Sequence, residues 1–161
     1  MPVQKGITCI IGENNTGKTN IFHALRLVLD VNLPSYFRQL TENDVHCCTG
    51  LNEAQQVLIS VEITEYSEKP EECALCGLWE VEPDLARITY RFRPSQSVRE
   101  AIERGERKKD SLTIDDDRWE LSAGSSGEDA DPSKVEWDKP CGNSVRFQEL
   151  QSFKIDFPPV S

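Results

Sequence analysis

Residues Gly12-Glu13-Asn14-Asn15-Thr16-Gly17-Lys18-Thr19 satisfy the pattern G-x-x-x-x-G-K-[ST] at each of its fixed positions. The octet follows the apolar run Ile7-Thr8-Cys9-Ile10-Ile11 and opens the segment Lys18 to Asp30. In that segment Ile21, Phe22, Ala24, Leu25, Val28 and Leu29 recur at helical spacing, which predicts a helix buried against a sheet. Strand, glycine loop and helix in that order are the context in which this pattern grips a phosphate, so the octet constrains the fold more than any other stretch. Its two glycines let the backbone curl until successive N–H groups point into one hollow. The helix N-terminus adds partial positive charge to the same place. Gly12 shapes the loop, and Asn14, Asn15, Thr16, Gly17, Lys18, Thr19 and Asn20 are the candidate contacts to ATP. Lys18 is the candidate catalytic residue, reaching the β- and γ-phosphates, and the Thr19 hydroxyl is the candidate ligand of Mg2+.

At 161 residues the chain suits one ordinary domain. No stretch approaches the roughly 20 apolar residues that a membrane span needs. Met1-Pro2-Val3-Gln4-Lys5-Gly6 lacks the apolar core of a secretory signal, so the expected location is cytoplasmic, with no membrane partner. A net charge of −10 argues against nucleic-acid binding through bulk charge. The charge is uneven, however: basic residues crowd Arg87 to Lys109, and acidic ones dominate Asp115 to Asp138. Such blocks read as solvated faces or mobile loops. Arg87, Arg91 and Arg93 share one strand face, expected to be solvated; contact with a DNA backbone or a partner head is the other reading.

Asn32 and Pro34 stop the first helix, and Thr41-Glu42-Asn43-Asp44 reads as a short capped turn. Val57, Ile59, Val61 and Ile63 alternate with Leu58, Ser60, Glu62 and Thr64, which predicts a half-buried strand that Glu68-Lys69-Pro70-Glu71-Glu72 breaks. Ile88-Thr89-Tyr90-Arg91-Phe92 predicts a second strand with Ile88, Tyr90 and Phe92 on one face. Ser97-Val98-Arg99-Glu100 has capping-box spacing and predicts a helix ending near Gly105. Short strands are expected at Arg118 to Leu121 and Val145 to Phe147, a flexible loop at Ala123 to Asp129, and a late strand at Phe153 to Phe157. There is no internal repeat. A phosphate-loop strand and helix followed by strands at hairpin spacing departs from an alternating βαβ order. It predicts an α/β fold in four parts: phosphate-loop strand and helix over 1–34, antiparallel β-subdomain over 35–109, acidic flexible loop region over 110–143, and returning core strand over 144–161.

Asn14, two residues after the first glycine, is the choice seen in the ABC-like branch of P-loop proteins that includes SMC proteins, RecF and the OLD (overcoming lysogenization defect) nucleases. Gly12 to Ile21 resembles the OLD-type Walker A with its helix start. Leu40 to Asp44, Val57 to Thr64, Leu85 to Arg93 and Phe153 to Pro158 are similar in pattern to the N-terminal ATPase region of OLD-family ATP-dependent endonucleases. The resemblance implies a P-loop NTPase of ABC/SMC-like type, represented by its N-terminal portion. It implies ATP and Mg2+ as ligands, homodimeric ATPase heads, and DNA as the target of the full-length protein through a Toprim nuclease domain. The signature helix, Walker B, switch histidine and Toprim acids of that family have no match in this sequence. The chain is therefore expected to be an N-terminal fragment, a truncated gene product or an excised domain that binds nucleotide weakly and hydrolyses it negligibly. A RecF- or SMC-like repair head without nuclease, or a non-enzymatic nucleotide-binding and dimerisation module, are the alternatives.

Other candidates reduce to simpler readings. Leu112-Thr113-Ile114-Asp115-Asp116 imitates a Walker B strand only faintly and runs into an acidic stretch. Leu121-Ser122-Ala123-Gly124 imitates an ABC signature but enters a Gly/Ser loop rather than a helix. Cys73-Ala74-Leu75-Cys76 has the two-residue gap of a zinc knuckle, which His46, Cys47 and Cys48 could in principle complete; reduced cytosolic thiols are the simpler reading. Cys9 reads as a small core residue, His23 as a surface or core histidine on the helix, and Trp79, Trp119 and Trp137 as hydrophobic anchors.

Overall fold

Period-two alternation in one long strand organises the chain. In the computed structural model, which describes residues 10–11, 13, 17–45, 56–68, 70–124, 134–145 and 149, this strand is β3, Leu85–Pro94. It pairs antiparallel with β1, Val57–Thr64, on one side and with β4, Asp117–Ala123, on the other. β2, Glu80–Glu82, also pairs with β3, and β5, Asn143–Ser144, pairs with β4, giving the order β1-β3-β4-β5 with β2 off that path. Among the described residues every strand pairing is antiparallel.

The register sorts side chains onto two faces of opposite character, because directly opposed residues project to the same side. One face carries Val57, Ile59, Val61 and Ile63 from β1, Ala86, Ile88, Tyr90 and Phe92 from β3, and Trp119, Leu121 and Ala123 from β4. Helix α1, Lys18–Leu29, lies on this side, packed on β1 and β3, and contributes Leu27 and Val28 to the core. Burying each such aliphatic or aromatic side chain is worth about 1.5–3 kcal/mol. The predicted helix thus forms one residue shorter at its C-terminus, and its exposed side keeps Phe22 at 54% exposure.

The other face is polar, with Glu62 opposite Arg87, Ser60 opposite Thr89 and Arg91 opposite Glu120. Here the sequence expectation fails. Arg87, Arg91 and Arg93 are only 7%, 1% and 6% exposed, so they do not form a solvated face. A strap, residues 134–141, lies across them and supplies main-chain carbonyls in place of water. Arg91 donates through Nη1 to Lys139 O at 2.5 Å, through Nη2 to Glu136 O at 2.6 Å and through Nε to Gln56 Oε1 at 2.6 Å. Arg93 Nη1 donates to Trp137 O and Lys139 O, both at 2.8 Å, and its Nε faces Glu120 at 2.5 Å in an ion pair too poorly aligned for a hydrogen bond. Arg87 pairs with Glu62 at 2.9 Å. Burial, then the neighbouring Arg93, pushes Arg91 down to about 10, still cationic at neutral pH. With their donors spent internally, these guanidinium groups are not placed to hold DNA or a partner head. Arg91→Met keeps the stem but strands the Glu136 and Lys139 carbonyls, and is expected to cost about 2–4 kcal/mol. The check is limited proteolysis under native conditions, with new cleavage inside residues 134–141.

Other elements differ in detail from expectation. β1 ends before Glu68 to Glu72, as expected, and Pro70 also opens a helix that was not expected, α2, Pro70–Cys76, at the first helical position, where its missing N–H costs nothing. Helix α3, Gln96–Glu103, starts one residue before the Ser97 box; its N-cap is Ser95, without a side-chain cap bond, and Gly105 at φ 73° follows its end. Thr41 and Asp44 form the expected capping box. A second box, Thr113 with Asp116, shapes the turn Ile114–Asp116, so the faint Walker B imitation is a capped 3₁₀ turn and not a strand. The signature imitation, Leu121 to Ala123, is the end of β4. Of the short strand expected at Val145 to Phe147, Val145 directly follows β5, Asn143–Ser144, and residues 146–147 lie outside the described residues. The late strand Phe153 to Phe157 lies outside the described residues.

Candidate functional site

Gly17 is where loop becomes helix. Its backbone is left-handed, at φ 83° and ψ 11°, a conformation that glycine adopts without the penalty of a Cβ. A Cβ there would meet nothing within 4 Å, so the dihedral and not crowding calls for glycine. The bend lets α1 begin at Lys18, and the Ile21 amide closes the first turn on Gly17 O at 3.2 Å.

The helix start is arranged for an anion. The amides of Lys18, Thr19 and Asn20 precede Ile21, whose amide is the first with an intrahelical acceptor. Gly17, as N-cap, has no side chain to claim them, and the first turn contains no acidic residue. These N–H dipoles and the helix N-terminus therefore present positive potential at this end of α1. Lys18 Nζ donates to the main-chain carbonyl of Glu13, so the ammonium folds back across the loop to which it belongs. Thr19 and Asn20 are exposed in the first turn. Of the predicted contacts, Gly17, Lys18, Thr19 and Asn20 are thus brought together at one helix end; Gly12, Asn14, Asn15 and Thr16 lie outside the described residues. A glycine in the left-handed region, the amides of a helix start, a flexible ammonium and a hydroxyl on the next residue fit a magnesium-bound polyphosphate.

A residue that the motif did not flag fixes the other end of α1. Arg38, in the 3₁₀ turn Ser35–Arg38, is fully buried and donates to the carbonyls of Leu27 and Asp30, where α1 runs out of intrahelical donors. Its guanidinium lies 5.7 Å from the Trp119 ring centroid, and Tyr90 on β3 donates its hydroxyl to Arg38 O at 2.5 Å. Burial lowers the Arg38 pKa, which Asp30 and Tyr90 partly offset. Asp30 itself pairs with Arg26 at 3.0 Å. Arg38 thus ties helix, turn and sheet together and keeps α1 at a set position on the sheet. The only sequence signal was an arginine shortly after a helix end.

His23 is exposed on α1, as a surface histidine. Trp79 is buried in the core, and Trp137 is half-buried with Lys109 Nζ 5.1 Å from its ring. Cys73 and Cys76 are free thiols, the first exposed and the second buried, and Cys141 is buried. Among the described residues no three His, Cys, Asp or Glu groups converge as a metal site; His46, Cys47, Cys48 and Cys9 lie outside them. No described helix is long and apolar enough to cross a membrane.

Residues 2–155 match the family described as AAA domain. No curated protein and no solved structure matches the chain.

Proposed function

The chain belongs to the AAA domain family of P-loop NTPases, and from that premise we propose that it binds ATP with Mg2+ through Gly12 to Asn20. The observation that carries this reading is the left-handed Gly17 opening a helix whose second residue, Thr19, completes the motif begun at Gly12. In the proposed complex the loop and first-turn amides surround the phosphates, and Lys18 gives up Glu13 O to place its ammonium on the β- and γ-phosphate oxygens. The Thr19 hydroxyl ligates the cation. Magnesium, when bound, draws charge from the bridging oxygens.

At finer grain, the chain is read as the N-terminal ATPase segment of an ABC/SMC-like head, of the kind found in OLD-type ATP-dependent endonucleases. Its heads would pair as homodimers and reach DNA through the full-length protein. Asn14, two residues after Gly12, supports that branch. The division at 34, 109 and 143 belongs to the same reading. Phosphoryl transfer needs an acid that orients the attacking water, and no stretch of this sequence matches the Walker B that supplies it. The expected outcome is that ATP with magnesium raises the melting temperature, AMP does not, and a malachite-green assay detects no phosphate above background. Steady phosphate release abolished by Lys18→Ala would contradict the second part; equal stabilisation by AMP would contradict the first.

A further inference from the structure

We propose that Cys73 and Cys76 form a redox-active dithiol that small-molecule disulfides oxidise to an intrahelical disulfide. Both are free thiols on α2, three residues apart, and Cys76 keeps helical dihedrals at φ −77° and ψ −24°. Side chains at that spacing are neighbours, with Cβ atoms about 5–6 Å apart, so a modest adjustment reaches the roughly 3.5–4.5 Å of a disulfide. The two thiols differ in the way that a stepwise exchange requires. Cys73 is exposed, whereas Cys76 is 2% exposed and belongs to the core cluster with Tyr66 and Trp79. Burial, with Glu72 and Cys73 close by, pushes the Cys76 thiol up, so it stays protonated and inert until a partner sulfur is delivered to it.

The chemistry balances with an oxidant of the class of oxidised glutathione. The Cys73 thiolate attacks one sulfur of the small disulfide, forming a mixed disulfide and expelling one thiolate. Cys76 loses its proton, attacks the Cys73 sulfur and expels the second thiolate. Two protein thiols become one disulfide, the small disulfide takes up the electron pair, and the two thiol protons end on the two small thiols released. Turning the Cys76 sulfur toward Cys73 draws it out of the cluster that holds Trp79, three residues further on. Closure therefore perturbs the corner from which β2 begins.

The test treats the intact chain with oxidised glutathione, then blocks remaining thiols and maps its six cysteines by peptide mass. Expected is a peptide containing Cys73 and Cys76 that has lost two hydrogens, with a change in indole emission that dithiothreitol reverses and Trp79→Phe removes. Cys76→Ser should stop at one glutathione on Cys73, and Cys73→Ser should slow loss of the Cys76 thiol about tenfold or more. A lasting glutathione adduct on Cys73 of the unmutated chain, or pairing of Cys76 with Cys141 instead, would overturn the proposal.

Discussion

Replacing Arg38 by alanine is expected to destabilise the fold by about 3–5 kcal/mol, the range for breaking a fully buried charged contact and leaving a cavity. The Leu27 carbonyl loses its Arg38 donor in a place that water does not reach, the Asp30 carbonyl is left with the Leu33 amide alone, and Trp119 loses the cation beside its ring. On a domain whose total stability is of the order of 5–15 kcal/mol, that is a large fraction. With a urea dependence of about 1–3 kcal/mol per molar, the midpoint should fall by roughly 2 M. Tyr90→Phe removes only the hydroxyl that reaches Arg38 O, and should cost about 1 kcal/mol. A shift for Arg38→Ala as small as that for Tyr90→Phe would mean that Arg38 does not anchor α1.

Lys18→Ala should weaken ATP binding by about 10–100-fold, corresponding to loss of charge-assisted bonds worth roughly 1.5–3 kcal/mol. Lys18 is half-buried at the start of α1 and its ammonium donates to a carbonyl of its own loop, away from the core, so the substitution is expected to change the fold little. The melting temperature without nucleotide should stay within a few degrees while the nucleotide-dependent rise disappears. The split separates a binding role from a structural one: a variant that melts early and still binds ATP would assign Lys18 to the fold.

How much of this was legible in the sequence depends on whether the deciding partner was local. Val57–Thr64 forms at its predicted bounds because alternation of Val57, Ile59, Val61 and Ile63 with polar neighbours is a period-two signal contained in eight residues. Thr41 and Asp44 meet within one turn, so their box was equally readable. The arginines of β3 show the limit. Alternation places Arg87, Arg91 and Arg93 on one face correctly, but Arg91 and Arg93 depend on carbonyls of Glu136, Trp137 and Lys139, more than 40 residues away, and main-chain acceptors carry no residue signature. Helix α2 is not legible because a proline that ends one strand suits the first position of a helix equally well, and seven residues carry little periodicity. At the site, the motif predicts the helix start that the structure shows at Lys18, whereas Arg38, which anchors the same helix, is one charged residue in a short turn without periodicity.

The loop from Gly12 to Thr19 is proposed to hold a magnesium-bound triphosphate. Isothermal titration of ATP into the folded chain tests it directly. Saturable heat that requires Mg2+ and is lost in Lys18→Ala is the predicted result; a flat titration with magnesium present, on material shown by circular dichroism to be folded, would contradict it.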